Sequence, residues 1–445
     1  MTNWKLKLAA YLHDPPSKAL DIANHEEHAR VLYRQAGFSE EEISRFTGAA
    51  DWTASAADRF PFPASQTAGL RCEFEGIRNA FHHPLGSPRG STEVLKLPFK
   101  GRFLTTDLAR ETDQSVQPVV DDFGSLPDDD GDPCGERWRA RFFAHWRLWQ
   151  KFATERDYRF AFLPADTRMP DHTVWTHMQV VSALQACAEG EGKAGVIKAA
   201  FLKLQIGPVQ EFIAQARSTR DLWSGSYLLS WLMAAGLKAL SAKVGPDAVI
   251  YPSLRSQPVF DLHWRGLWSQ LRLHKDAKSA WETLDHHNTN LLTPNLPNVL
   301  LAVVPQGEAK ALAGWAEKAI RKEWRSVADA CWNHCEAAGM TADEPGISAT
   351  ARRERFNAQA ERFLSISWQV TDWPSTLEGA LELAENLPVD QTRPDTDPRQ
   401  RIQAVIDAAT KEMPKEHRDR RYYEDDTKTK PEQCWLGVER ALRIQ

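Results

Sequence analysis

The sequence has few cysteines and no long apolar segment. Its 445 residues include only 6 cysteines, and these are scattered along the chain. A disulfide-stapled secreted fold is therefore not expected, and this cysteine usage is typical of a reducing cytoplasm. No apolar stretch approaches the roughly 20 residues of a membrane-spanning helix, and the N-terminus lacks a signal-peptide core. We therefore predict a cytoplasmic protein with no membrane partner.

A large excess of one charge is also missing. The net charge of -5 argues against coating a polyanion with the whole surface, but it leaves room for a local basic channel. The length suggests two or three domains. The 17 tryptophans are unusual, and they indicate either aromatic surfaces for a partner or nucleotide bases, or simply core packing.

The most informative stretch of the sequence places His13 beside Asp14 at the end of an apolar helical segment. Pro15 and Pro16 follow, and a proline pair cannot continue a helix. The imidazole and the carboxylate are thus presented together, where they could ligate one divalent metal ion or bridge two. The pair alone is a weak signal, because a helix end with two solvated polar residues has the same sequence.

Two predicted helices downstream carry further candidate ligands. His25 and His28 share one helix face, and we prefer His25 as a ligand because it lies beside a loop. Asp51 lies in a third predicted helix, and Asp58 shares its face two turns later. Either aspartate could be the ligand, with the other as its structural partner.

His177 begins a predicted helix far from His13 in the chain, and polar residues at helix starts are often structural caps. His13, Asp14, His25, Asp51 and His177 would together offer imidazole nitrogens and carboxylate oxygens from several helices. Such a set suits Mn, Ni, Co, Mg or Zn. An ion of this kind can activate water for attack on a phosphodiester.

The second part of the chain follows a different pattern of strands and helices. From about residue 196 the order is strand, helix, strand, strand, helix, strand, which is that of a ferredoxin-like unit. The first of these helices is predicted to break near Gly225, and residues 61–135 are predicted to be rich in loops. We predict an α+β protein, divided into a helical domain at 1–195, a ferredoxin-like domain at 196–375 and a helical or partly extended tail at 376–445.

A tight Gly207-Pro208 turn joins the first of these strands to the next helix. Backbone amides at the helix start, with Gln210, Arg217 and Ser224, could hold a nucleotide phosphate. A plain ferredoxin-like core would carry the same turn. A phosphate-binding site and a purely structural turn therefore both stay open.

Several motifs of the sequence coincide with one known family. The stretches are 12–20, 50–59, 164–177, 206–213 and 221–226. In combination they resemble the large signature subunit of type III-B CRISPR effector (Cmr) complexes. The resemblance implies a circularly permuted HD nuclease domain that cleaves single-stranded DNA, followed by palm domains that bind ATP. It also implies other effector subunits, guide RNA and target RNA as partners.

The sequence departs from that family in one respect. It has no Gly-Gly-Asp-Asp turn of the kind that holds the catalytic metals of the second palm. We therefore expect no cyclic oligoadenylate synthesis from this chain. Three functions remain open: a metal-dependent single-stranded DNase in an RNA-guided complex, an assembly scaffold with a vestigial HD site, and a stand-alone HD phosphohydrolase.

Overall fold

The fold is known from a computed structural model. It describes residues 2–21, 24–43, 48–59, 80–82, 94–96, 106–165, 172–190, 195–274, 278–286, 291–343 and 346–374. The predicted tail at 376–445 and the side chain of Asp58 lie outside this description. Among the described residues, no helix combines the length and the apolar character needed to span a membrane.

Most of the described residues lie in helices, and short strands lie between them. In chain order the helices are α1 (Trp4–Leu12), α2 (His25–Gln35), α3 (Glu40–Ile43), α4 (Gly48–Arg59), α5 (Thr106–Ser115), α6 (Glu136–Arg156), α7 (Val174–Gln185), α8 (Gln210–Ala214), α9 (Thr219–Val244), α10 (Pro258–His263), α11 (Arg265–Gln270), α12 (Ala280–Leu284), α13 (Ala309–Ala337) and α14 (Ala349–Phe363). The strands are β1 (Ala80–His82), β2 (Val94–Lys96), β3 (Val120–Asp122), β4 (Ala188–Glu189), β5 (Val196–Ile197), β6 (Ala199–Gly207), β7 (Val249–Tyr251), β8 (Arg272–Leu273), β9 (Val299–Pro305) and β10 (Ser365–Asp372).

The chain forms two compact units. Among the described residues, the helical unit comprises those within Asn3–Val119 and Asp128–Ala199 and the stretch 372–374. The sheet unit comprises Thr2 and the described residues within Val120–Pro127 and Ala200–Thr371. This mixture of helices and sheet agrees with the predicted α+β class.

Helix α6 forms the centre of the helical unit because its inner face is aromatic. Its large buried side chains are Trp138, Phe142, Phe143, Trp146 and Trp149. Burying a side chain of this size stabilises the fold by roughly 1.5–3 kcal/mol.

Two helices pack on this aromatic face. Tyr11 of α1 meets Phe142 edge-on with ring centroids 6.0 Å apart, and Trp175 of α7 meets Trp149 edge-on at 5.6 Å. Helices α1 and α7 are therefore held by the same core helix. For these tryptophans the core-packing interpretation is confirmed.

A four-stranded sheet with the order β10-β6-β9-β7 dominates the sheet unit, and β7 runs antiparallel to β9. Its main elements follow the predicted order: β6, α9, β7, β9, α13, β10. In β6, Leu202, Leu204 and Ile206 are buried, whereas Lys203 and Gln205 are exposed. This alternation covers one sheet face with apolar side chains.

Helices α9 and α13 pack closely in the sheet unit. A Cβ atom on Gly236 of α9 would lie only 2.8 Å from Cδ1 of Ile320 on α13. Helix α9 runs unbroken through Gly225, so the predicted interruption there is wrong. A glycine inside a helix costs only about 1 kcal/mol relative to alanine, and tertiary packing overrides such a penalty.

Candidate metal centre

The end of α1 presents His13 and Asp14 as the sequence predicts. Helix α1 stops at Leu12, and a short 3₁₀ helix follows from Pro16 to Ala19. The proline at position 15 has extended backbone angles, which a helix cannot incorporate. The side chain of Asp14 is almost completely buried, whereas that of His13 is partly exposed.

Helix α2 brings His25 to Asp14. His25 is the first residue of this helix, and its Nε2 atom lies 3.8 Å from Oδ1 of Asp14. The rings of His25 and His13 are 6.2 Å apart between centroids. His28, one turn later, instead has its Nδ1 atom 3.4 Å from Oγ of Ser17. Of the two histidines, His25 is therefore the one beside Asp14, whereas His28 lies 3.9 Å from Oδ2 of Asp21.

Helices α4 and α7 contribute Asp51 and His177. The Nε2 atom of His177 lies 3.0 Å from Oδ2 of Asp14 and 3.2 Å from Oδ1 of Asp51. The Nε2 atom of His13 lies 3.9 Å from the other oxygen of Asp51. The structure thus brings all five predicted residues of this site together, from segments far apart in the chain.

Asp14 is shared by two overlapping triads. Ligand atoms of His13, Asp14 and His25 lie within 4.8 Å of one another, and so do those of Asp14, Asp51 and His177. Oδ1 of Asp14 faces His25 and Oδ2 faces His177. A carboxylate with one oxygen in each triad has the geometry to bind one ion or to bridge two.

The donor set of these triads fits a divalent cation. Oδ1 of Asp14 is buried and accepts no hydrogen bond among the described residues, although buried oxygens nearly always have a partner. Imidazole nitrogens and carboxylate oxygens are the ligands that Zn, Mn, Ni and Co take in proteins. The metal-binding role of the five residues stays a prediction.

The electrostatics keep both carboxyls of this cluster ionised. Burial alone would raise the pKa of Asp14, but the Lys18 ammonium and the hydrogen bond with His177 hold that pKa well below its usual range. Burial also acts to raise the pKa of Asp51, yet the hydrogen bond with His177 leaves it below the ordinary value. The carboxylate form that ligates cations is therefore the stable one at neutral pH.

The sequence prediction missed Lys18 as a site residue. Its Nζ atom lies 2.5 Å from Oδ2 of Asp14. Pro15 and Pro16 interrupt the helix between Asp14 and Lys18, so no helical spacing marks this pair in the sequence.

Asp113 supports the turn that carries Lys18, and the sequence prediction missed it too. Its Oδ2 atom accepts the backbone N–H of Ser17 at 2.8 Å. Burial raises the pKa of Asp113 to about 7. Asp113 lies on α5, inside the predicted loop-rich stretch. The prediction failed here because the buried face of α5 consists of Ala109, Thr112 and Asp113, so it lacks the apolar stripe of a typical helix.

Gln210, Arg217 and Ser224 are spread over α8, its connection to α9 and the start of α9. All three side chains are exposed. The backbone N–H of Arg217 donates to Asp221 at 3.2 Å. Their predicted role at a nucleotide phosphate stays a prediction.

Comparison with known proteins identifies relatives of this chain. Residues 201–329 match the family described as CRISPR-associated protein Cmr2, N-terminal. The CRISPR system Cmr subunit Cmr2 of Pyrococcus furiosus is 29% identical over 408 residues, which cover 82% of this chain and 41% of that protein. The Cmr2 subunit of Saccharolobus solfataricus is 34% identical over 124 residues, covering 28% of this chain and 11% of that protein.

One solved structure also resembles the chain. It is the cryo-EM structure of the type III-B Cmr-beta complex bound to cognate target RNA. One of its chains aligns with 92% of this chain and 40% of its own length, at a TM-score of 0.47 and 17% identity. This chain spans less than half the length of the curated relatives that it matches.

Proposed function

We propose that this chain, a relative of the large Cmr2 subunits of type III-B CRISPR systems, carries an HD-type metal-dependent nuclease centre. Its substrate would be single-stranded DNA, and its setting an RNA-guided complex with other effector subunits, guide RNA and target RNA. The observation that carries the proposal is the convergence of His13, Asp14, His25, Asp51 and His177 around one buried carboxylate.

Each residue of the cluster has a role in this proposal. A bound Mn, Ni, Co, Mg or Zn ion would supply an activated water and neutralise charge on the phosphoryl oxygens. Asp14 and His177, with side chains 2% and 3% exposed, form the closed side of the cluster. His13 and His25 are more open, at 22% and 19%. An extended strand could therefore reach the cluster from the side of these two histidines.

The sheet unit would serve as a ferredoxin-like palm. Its strand order, with α9 and α13 as the two long helices, supports this assignment. Gln210, Arg217 and Ser224 would bind ATP phosphates there. Messenger synthesis is not part of the proposal, because the sequence carries no Gly-Gly-Asp-Asp turn.

The test is purification of the chain with its natural neighbours, sequencing of the associated RNA, and an assay of Mn²⁺-dependent cleavage of single-stranded DNA. Asp14→Asn keeps the shape of the side chain but removes its charge, so we expect cleavage to fall by at least about 100-fold. Asp107→Asn is the matched control, because that carboxylate is 95% exposed on α5.

Three outcomes separate the candidate functions. RNA association with Asp14-dependent cleavage supports the nuclease. RNA association without cleavage by the unaltered complex supports the scaffold. Asp14-dependent phosphohydrolysis of nucleotides by a chain that binds no RNA supports the stand-alone enzyme.

A further inference from the structure

Lys18 places a positive charge on the oxygen of Asp14 that faces His177. Its Nζ atom lies 2.5 Å from Oδ2, and Nε2 of His177 lies 3.0 Å from the same oxygen. The side chain of Lys18 is only 16% exposed. A buried carboxylate is strongly disfavoured without a counter-charge, and the ammonium provides one within the cluster.

Hydrogen bonds anchor the backbone that carries this ammonium. Lys18 lies in the 3₁₀ helix that follows Pro15, and its N–H donates to the carbonyl oxygen of that proline at 2.8 Å. The preceding residue, Ser17, is held by Asp113. The lysine is therefore delivered to Asp14 by an anchored turn rather than by a mobile surface segment.

An exposed lysine–carboxylate pair in the same unit gives the contrast. Lys151 and Glu155 also lie four residues apart and form an ion pair, but Glu155 is 57% exposed. Exposed pairs of this kind contribute little because water screens them. The Lys18 pair differs because its carboxylate is buried inside a group of candidate metal ligands.

We propose that Lys18 is a built-in counter-cation that competes with the divalent metal for Asp14. This inference rests on the proposed metal centre. An ion bound to the same carboxylate would lie within about 5 Å of the ammonium, where two positive charges in a partly buried site repel. Metal entry therefore requires the Lys18 ammonium to leave Oδ2. Lys18 both stabilises the metal-free cluster and weakens its affinity for metal.

The test is calorimetric titration with Mn²⁺, together with thermal melting in EDTA, on the full chain. Lys18→Met and Lys18→Gln remove the charge, Lys18→Arg keeps it, and Lys151→Met is the matched control. We expect the two neutral variants to bind Mn²⁺ at least about 10-fold more tightly than the unaltered chain. They should also melt at a lower temperature in EDTA. Lys18→Arg and Lys151→Met should stay within about threefold of the unaltered affinity.

The outcomes separate a failure of the Lys18 inference from a failure of the proposed metal centre. Mn²⁺ binding by the unaltered chain, with equal or weaker binding by both neutral variants, overturns the role of Lys18 and leaves the centre standing. Binding by the neutral variants but not by the unaltered chain supports both. Absence of binding in every variant, all of them folded by circular dichroism, overturns the metal centre and the competition together.

Discussion

His177 and Asp51 lie 126 residues apart in the chain, yet Nε2 of the histidine is 3.2 Å from Oδ1 of the aspartate. The same nitrogen is 3.0 Å from Asp14. One imidazole on α7 therefore joins the carboxylate at the end of α1 to the carboxylate of α4. A late histidine beside an early His-Asp pair is the arrangement that the resemblance to the Cmr family predicts.

The two histidines of α2 should differ in their effect on metal binding. His25 lies beside the unpartnered oxygen of Asp14, whereas His28 contacts Ser17. We expect His25→Ala to weaken Mn²⁺ binding by at least about 10-fold and His28→Ala to change it by less than about threefold. Calorimetric titration measures both variants. An equal loss in the two would mean that α2 acts through its packing and not through a ligand.

Asp113 should make stability depend on pH. Its pKa is about 7 in the folded protein, against about 3.9 for an unperturbed aspartate. The folded state therefore binds the proton more tightly, and stability falls as the pH rises from about 4 to 7. Between pH 5 and 8 this residue alone should lower the free energy of unfolding by about 2–3 kcal/mol.

Asp113→Asn removes this titration and keeps a carbonyl oxygen to accept the Ser17 N–H. Urea denaturation in EDTA at pH 5 and pH 8 measures the free energy of unfolding. Relative to the unaltered protein, the variant should become more stable as the pH rises. Asp107→Asn, at an exposed site on the same helix, should follow the unaltered protein. Parallel pH curves for all three proteins would contradict the prediction.

Substitution by alanine at two glycines in the paired helices α9 and α13 of the sheet unit should change stability in opposite directions. Gly236 faces Ile320 with no room for a methyl group, so Gly236→Ala should destabilise the unit by about 1–2 kcal/mol. Gly314 has nothing within 4 Å of its missing Cβ, so Gly314→Ala should stabilise α13 by up to about 1 kcal/mol. Thermal denaturation measures both changes. A gain in stability for Gly236→Ala would refute the close packing.

Two parts of the candidate metal centre leave a local trace in the sequence. The proline pair marks the end of α1, and His25 opens α2 next to a turn. Their meeting could not be derived from periodicity, because contacts between distant segments depend on how the helices pack. The resemblance to a known family supplied that part of the prediction.

The supporting residues could not be predicted in the same way. Asp113 lies on a helix whose buried face is small and polar, so no hydrophobic pattern marks it. Lys18 carries no sign in the sequence that its charge is turned inward. The continuity of α9 through Gly225 was also missed by local sequence rules: the helix continues there despite the weak helix propensity of glycine, with Phe212 of α8 3.4 Å from the position of a Cβ atom.

The aromatic face of α6 means that substitutions far from the candidate ligands can disturb their placement. Helix α6 contributes none of the five candidate ligands, but it packs against both α1 and α7. Loss of Trp149 or Phe142 would leave a cavity beneath the two helices that carry candidate ligands and loosen their packing. A variant chain could therefore keep all five candidate ligands and still lose their arrangement.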